Sequence, residues 1–572
     1  MSPRTTKSPN RKDVWGYTFD WTPSHLTATD LQSLTLSYDK LTNDCLDEFD
    51  KLGLTSPSSS SASFRAKISS SSSKPQPQNG APTECPMSQT DFFTLLETHH
   101  HKFPSLSTLW DQLTTVPAWV SYAAIARGQA VFYRYAGPAV TSLTFHSLLG
   151  GMASARVVET LARTGGFGTR VARRRLLETF QHILDVTEGV ESMKPGGKGW
   201  KSTVRVRFLH ASVRRRIMNL SKNDEDKKNE GEDESKKKDG NGSIGNGDTK
   251  TGKRYYDTSK FGTPINDLDS IGTIASFSSA LIWMGLPRQG IFLSQQEISD
   301  YLHLWRYVAY LIGVPDTITL PDGRTVTPFG TPHEAKTVLE SLALAELNNP
   351  SETSAVLANN IITALANQPP LRSSASFLRA QAYWLNGSRL CQTLQIPKPK
   401  MWYTLLVISQ CLLFMFFCYL RQAHYLLFDR RVPWGGGTSG DKEVEVEIEV
   451  AGQERYKRVR KLMRHVTVEM AGGKEAQFVF EWVPERGKYT TSFDSDSDPH
   501  HAGGGGDDDD GKDNKTGMKN KKSWWEWISA RYGGSEFRSL KAFLVASTVV
   551  GCLVWVGLRG LLLSGTMLLF RR

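Results

Sequence analysis

Ionisable residues on the apolar faces of successive helical runs are the feature that most constrains what this chain can fold into. In one run, Arg175, Glu178, Thr179 and His182 lie three to four residues apart, so a helix places them on a single face. Soluble proteins bury Glu, Arg and His only when these groups are paired, hydrogen-bonded or bound to a metal. The pattern therefore predicts a functional site among helices.

The neighbouring runs repeat the pattern. Glu159 lies between apolar residues in VVETLA, and Arg207, His210 and Arg214 share one stripe of GWKSTVRVRFLHASVRRRI. The glycines at 165–168 predict a tight turn between two helices, because no strand precedes them and no phosphate-binding Lys-Ser/Thr pair follows. The sequence thus predicts three consecutive helices with a polar interior.

The order of these motifs resembles the catalytic domain of the rubber oxygenases (latex-clearing proteins). It is most similar to their fungal branch of endoplasmic-reticulum-bound oxygenases, of the mycophenolic acid type. The resemblance rests on GG…E…GFG…RRLLET.Q…V, on VR..HA.VR, on the block from FGTPINDLDS to YLIGVP, and on the opening WGYTFDWTPSHLT. It implies an all-α, globin-like helical domain that binds b-type haem. Such a domain would use dioxygen to cleave a carbon–carbon double bond in a hydrophobic, isoprenoid-like chain.

The resemblance also implies roles for the run that contains His210. This histidine matches the axial ligand of the haem iron, which leaves the opposite face of the iron free for dioxygen. Arg207 and Arg214 are then expected to pair with the haem propionates, since guanidinium groups bind carboxylates as planar forks. The alternative is that both arginines form ion pairs within the protein or face solvent.

On the other side of the haem, the resemblance assigns a catalytic base to Glu159 and polar, oxygen-positioning roles to Arg175 and Thr179. The alternative for Glu159 is an ion pair with Arg163, four residues later on the same helix. Glu178 departs from the family pattern, because some members have at this position a lysine that can occupy the sixth coordination site of the iron. The resting coordination and the substrate therefore stay open.

Two other function classes compete with a haem oxygenase. The first is a non-enzymatic, membrane-tethered scaffold that binds haem or lipid. The second is a di-iron enzyme built from Glu159, Glu178 and His182, which would need paired Glu-x-x-His motifs that the sequence lacks.

Charge and cysteine content exclude further classes. The net charge of +11 is spread over scattered Lys and Arg without interleaved aromatic residues, which favours a membrane-adjacent protein over a nucleic-acid-binding one. The six cysteines form no CxxC pair, so neither a disulfide scaffold nor a zinc module is expected.

Two apolar segments predict membrane attachment. Residues 401–420 form an uncharged run of 20 residues, long enough for a transmembrane helix, and 542–570 form a second run interrupted by Arg559. The amino terminus has no apolar signal-peptide core. We therefore expect a membrane protein with a cytosolic catalytic domain and with 421–541 on the lumenal side, and the resemblance implies that the membrane is that of the endoplasmic reticulum.

The same patterns divide the chain into segments. EVEVEIEVAGQ and AQFVFEWVP alternate apolar and polar residues and predict a small strand pair. The predicted divisions are an amino-terminal segment at 1–55, a disordered Ser/Pro linker at 56–82, a catalytic domain at 83–399 with a disordered insertion at 221–253, the membrane helix at 401–420, a strand-containing segment at 421–491, a low-complexity linker at 492–522 and the second membrane segment at 542–570.

Overall fold

The computed structural model of the protein describes residues 10–54, 91–238, 255–369, 372–428 and 442–478. The two predicted linkers and the second apolar run lie outside the described residues. The described chain is mostly helical, with two short hairpins, which confirms the all-α class.

The elements of the first half are β1 Arg11–Val14, β2 Tyr17–Asp20, α1 Ala28–Leu34, α2 Lys40–Lys51, α3 Phe92–His99, α4 Pro104–Thr114, α5 Tyr122–Arg134, α6 Ala136–Thr141, α7 Ala155–Thr164 and α8 Thr169–Val186. Those of the second half are α9 Val190–Met193, α10 Lys198–Lys238, α11 Thr258–Phe261, α12 Asp267–Phe277, α13 Gln295–Leu311, β3 Ile318–Thr319, β4 Thr325–Val326, α14 Pro332–Glu346, α15 Glu352–Leu365, α16 Ala375–Thr393, α17 Met401–Phe428 and α18 Lys442–Met470. Shorter 3₁₀ turns span His100–Lys102 and Pro287–Gln289, and π-helical segments span Ser142–Leu149 and Leu281–Gly285.

Local sequence signals explain many of the boundaries. α13 begins with a reciprocal capping box, in which Ser294 accepts from the backbone of Glu297 and the Glu297 carboxylate accepts from the backbone of Ser294. β1 and β2 pair antiparallel, with Val14 opposite Tyr17. Their two-residue turn, Trp15–Gly16, has φ values of 55° and 82°, as a tight hairpin turn requires.

The amino-terminal segment shares its core with the helices that follow. Phe49 of α2 lies in the same hydrophobic cluster as Phe208 of α10, and Phe92 contacts both rings at centroid distances of 6.0 and 5.7 Å. The hairpin residue Trp15 packs in a second cluster with Leu385 of α16. The described residues before and after the predicted 56–82 linker therefore fold together, because each part buries its apolar face on the other.

α17 contains the first predicted membrane segment. Residues Met401–Leu420 have a mean hydropathy of 2.0, and most of them are exposed or half-buried. Among the single helices of the described chain, α17 alone is long and apolar enough to span a bilayer. The pair formed by Asp267–Phe277 and Leu281–Gln289 passes the same test only if counted as one bent span. That pair contributes to the main hydrophobic core, which explains its apolar composition.

The strand prediction for EVEVEIEVAGQ was wrong, because this sequence lies in α18. Its alternating pattern is compatible with either structure, and packing of the following turns decides between them. Tyr456 is buried and stacks on Tyr133 of α5, and Arg464 forms an ion pair with Asp185 of α8 at 2.5 Å. In the second predicted strand, the described residues 476–478 are not in a strand either.

Two further expectations need correction. The insertion predicted to be disordered from 221 onwards is helical as far as Lys238, because its Lys and Glu residues extend a helix that α10 has already nucleated. The segment expected on the lumenal side includes α18, which packs on α5 and α8. Helices in direct contact cannot lie on opposite sides of a membrane, so a cytosolic domain with a lumenal α18 is excluded.

Candidate functional site

α7, α8 and α10 carry all of the predicted site residues. α7 ends at Gly165, whose φ of 66° gives a left-handed cap, and α8 begins directly after Gly168. The tight interhelical turn predicted from these glycines is confirmed. α8 packs along α10 and along α15 on its other side, so its polar face is held against the helix that contains His210.

Two histidines meet between α8 and α10. His182 is buried, and its Nδ1 lies 3.1 Å from the Ser202 hydroxyl of α10, a hydrogen bond that fixes the ring. Burial lowers the pKa of His182 to about 4, and the nearby His210 lowers it further. Burial also lowers the pKa of His210 to about 4, with a contribution from Arg214 and a smaller opposing one from Asp39. Both imidazoles are therefore neutral near pH 7.

His210 differs from its neighbour in hydrogen bonding. It is partly exposed, and neither of its ring nitrogens has a hydrogen-bond partner within the described part of the chain. A neutral imidazole with a free nitrogen is the form that binds haem iron. The imidazole of His210 therefore fits as a ligand for the iron of the cofactor that the resemblance implies.

Arg207 is engaged elsewhere. It is buried and forms a bidentate ion pair with Asp39, with Nε–Oδ2 and Nη2–Oδ1 distances of 2.7 and 3.0 Å. Burial alone would raise the pKa of Asp39, but the Arg207 guanidinium and hydrogen bonds from Thr42 keep it below its usual range. The buried Nη1 of Arg207 has no hydrogen-bond partner. This geometry supports the internal-pair alternative for Arg207.

Arg214 also binds within the protein, and all three of its guanidinium nitrogens donate hydrogen bonds. Its three guanidinium nitrogens donate to the carbonyls of Pro264, Ile265 and Asp39 and to the Asn43 side chain, at 2.8–3.4 Å. A propionate would have to displace these acceptors. Ile265 has a φ of 53°, which is rare for a β-branched residue, and the bonds from Arg214 hold this turn in place. Arg214 therefore fastens the 264–265 turn and α2 to α10.

Glu159 forms the ion pair with Arg163 that was the alternative prediction for this residue. Its carboxylate contacts the Arg163 guanidinium on the next turn of α7, and both side chains are about one-fifth exposed. Arg163 also lies 5.5 Å from the ring of Tyr255, whose hydroxyl donates to the Arg163 carbonyl at 3.1 Å. The adjacent Tyr256 packs in one cluster with residues of α10, so the Glu159 helix and the His210 helix meet through this tyrosine pair.

Arg175 and Glu178 form a second pair, on α8. Arg175 Nη1 and Arg174 Nε each lie 2.9 Å from a different oxygen of the Glu178 carboxylate. Thr179, one turn after Arg175, is exposed. The Glu178 carboxylate is thus paired with two arginines, and the Thr179 side chain is accessible to a ligand.

The structure gives no support to the di-iron alternative. Its two carboxylates, Glu159 and Glu178, are each paired with arginine. In the described ranges, no group of three or more His, Cys, Asp or Glu side chains is arranged to hold a metal ion.

Sequence reasoning missed the partners of the arginines. Asp39 caps α2 and is separated from Arg207 by 168 residues, so the sequence could reveal the cap but not the ion pair. The hydrogen bond between Ser202 and His182 was missed as well, although both residues lie on the inward stripes of predicted helices.

Parts of this chain are similar to known proteins. Residues 133–408 match the family described as "ER-bound oxygenase mpaB/B'/Rubber oxygenase, catalytic domain". A solved structure of a latex clearing protein in the closed state aligns with 77% of this chain and 95% of its own, at 14% sequence identity and a TM-score of 0.40. No curated protein matches the sequence.

Proposed function

We propose that this chain is a haem-dependent oxygenase, because its residues 133–408 match the catalytic-domain family of endoplasmic-reticulum-bound and rubber oxygenases. We further propose that it cleaves a carbon–carbon double bond in a hydrophobic, isoprenoid-like chain. Both atoms of dioxygen would enter the products, one in each of two new carbonyl groups, which balances the reaction without another oxidant.

The observation that carries the proposal is the free imidazole of His210. It is neutral near pH 7 and without a hydrogen-bond partner in the described chain, unlike the neighbouring His182, which is bonded to Ser202. His210 would hold the haem iron from the α10 side. Bound haem would supply the binding and activation of dioxygen.

The residues of α7 and α8 would act on the substrate and on oxygen. Glu159 would accept an allylic proton at its carboxylate and later return it to the product, after exchanging its contact with Arg163 for one with the substrate. Arg175 and Thr179 are one turn apart on α8 and present a guanidinium and a hydroxyl, which are suitable hydrogen-bond donors for positioning oxygen. Arg207 and Arg214 would fix α10, and with it His210, through their contacts to α2 and the 264–265 turn.

Membrane association belongs to the same proposal. α17 is apolar and exposed on one face, and prenyl chains partition into bilayers, so the enzyme would meet its substrate at the membrane. We place the protein at the endoplasmic-reticulum membrane with its catalytic domain in the cytosol.

The test is oxidation of an all-trans polyprenyl alcohol under ¹⁸O₂ by the full chain in microsomes. The account predicts two carbonyl products with one ¹⁸O each, and turnover lower by about 10²–10⁴ in Glu159→Gln with haem content unchanged. Glu346→Gln is the matched control, since Glu346 also pairs with an arginine, Arg156, at 2.9 Å but has no proposed catalytic role. Equal turnover in the two variants would make Glu159 structural, and absence of labelled carbonyls would refute the cleavage reaction.

A further inference from the structure

α17 is attached to the folded domain along its length. Near its start, Leu406 packs in a cluster with Phe377 of α16, and Gln410 accepts a hydrogen bond from Gln381 at 2.8 Å. Near residue 419, the Tyr419 hydroxyl donates to the Gly290 carbonyl at 3.0 Å. Leu406 and Tyr419 are about 20 Å apart along a helix, so α17 lies across the domain surface instead of leaving it.

The opposite face of α17 is exposed and apolar. Leu405, Leu412 and Leu420 follow at intervals of seven and eight residues, which places them on one side of the helix, and they are 43–60% exposed. Val407, Cys411 and Cys418 are buried on the domain side. The remaining exposed apolar residues at this surface are Met401, Trp402, Phe417 and Phe292, the last joined to α17 by a bond from its N–H to the Tyr419 hydroxyl.

The chain after α17 returns to the same domain. On α18, Arg464 pairs with Asp185, and Arg460 donates to the Glu188 carbonyl at 2.6 Å. The residues that precede α17 also belong to the domain, since Ile396 is buried in the second core cluster. Both ends of α17 are therefore tied to one body, which a helix crossing the bilayer away from that body would not allow.

The exposed face of α17 has the chemistry of a membrane-binding surface. The face presents large apolar side chains with Trp402 at one end, and the exposed Lys398 and Lys400 precede it. Tryptophan and lysine at the border of an apolar face suit the headgroup region of a bilayer, where lysine also attracts anionic lipids.

We propose that α17 lies in the plane of one membrane leaflet, with its Leu405–Leu412–Leu420 face in the acyl-chain boundary, and does not cross the bilayer. The inference rests on the membrane association proposed above but not on the haem chemistry. It places the catalytic domain and α18 on the same side, with the lipid surface directly against the domain.

A labelling experiment tests the topology. Lys398→Cys lies before α17, and His465→Cys lies on α18 at a side chain that is 68% exposed. In full-length protein carrying Cys85→Ser and Cys552→Ser, a membrane-impermeant maleimide added to intact microsomes should label both reporters equally. Labelling of only one before detergent is added would show that α17 crosses and would overturn the proposal. Loss of the protein from the microsomal pellet would instead refute membrane association itself.

A second measurement tests lipid contact. A fluorophore on Leu412→Cys should be quenched by a doxyl group near the headgroup end of the lipid chain about twofold more than by one at mid-chain, since in-plane helices sit only about 5–10 Å deep. Leu462→Cys on α18 is the control, because Leu462 is also an exposed leucine, at 62%. It should not be quenched. Absence of quenching at Leu412 in membrane-bound protein would show that residues 542–570 or a second copy covers the face, and would overturn the proposal.

Discussion

Two buried regions of this protein each contain a histidine with a lowered pKa, and they differ in what the imidazole contacts. His146 lies in the π-helical segment Ser142–Leu149 and is 3% exposed. Its Nδ1 lies 3.0 Å from the Leu385 carbonyl and 3.1 Å from Asn386 Oδ1, and its ring packs edge-to-face on Trp15. Burial, assisted by the Arg288 charge, lowers its pKa to about 3.

His210 lies in the layer of α8 and α10, and burial lowers its pKa to about 4. It has no hydrogen-bond partner in the part of the chain that the structure describes. The ring is partly exposed, so its nitrogens are accessible to a ligand. A lowered pKa is therefore common to both histidines, and they differ in the open hydrogen-bonding positions of His210.

The largest expected effect is a loss of folding stability on removal of Arg207. It distinguishes a structural role of this arginine from binding of a haem propionate. Arg207→Met should lower the free energy of unfolding by about 3–5 kcal/mol, because it leaves the Asp39 carboxylate buried without its charge partner. Asp39→Asn combined with Arg207→Met should recover much of this loss. Urea unfolding measures the stability, and absorbance measures haem per folded protein, which should stay unchanged. Haem loss at unchanged stability would instead assign Arg207 to a propionate.

A smaller effect concerns the structural histidine. Unfolded histidine binds a proton near pH 6.5, whereas folded His146 does so only near pH 3. Between these values the unfolded state binds more protons, so the contribution of His146 is complete above pH 6.5 and is lost as the pH falls. The slope is about 1.4 kcal/mol per pH unit for one proton. His146→Gln should reduce the slope of stability between pH 6.5 and 5 by up to that amount, as thermal unfolding can show. An unchanged slope would mean that the pKa of His146 is not lowered in the folded protein.

The sequence predicted the parts of this structure that depend on local pattern. The helices that carry Glu159, Arg175 and His210 follow from periodicity, and the Gly165 turn follows from the need for a positive φ. The segment EVEVEIEV was misassigned because its alternation fits a strand until packing of α18 on the domain decides for helix.

Contacts between distant residues could not be predicted. The pair of Asp39 and Arg207 joins residues far apart in the chain, and nothing in either local sequence shows that the aspartate will occupy the guanidinium. The orientation of α17 could not be predicted either, because its composition is that of a membrane span. Its contacts with Gly290 and Gln381 show that it lies along the domain.

We propose that His210 would hold the haem iron and that His146 would not. Full-length His210→Ala and His146→Ala should be purified in detergent beside the unaltered protein, with the Soret absorbance compared to the folded fraction from circular dichroism. The account predicts a Soret band in the unaltered protein, little haem in His210→Ala at unchanged helicity, and a normal ratio of haem to folded protein in His146→Ala. Full haem loading of His210→Ala would contradict the assignment.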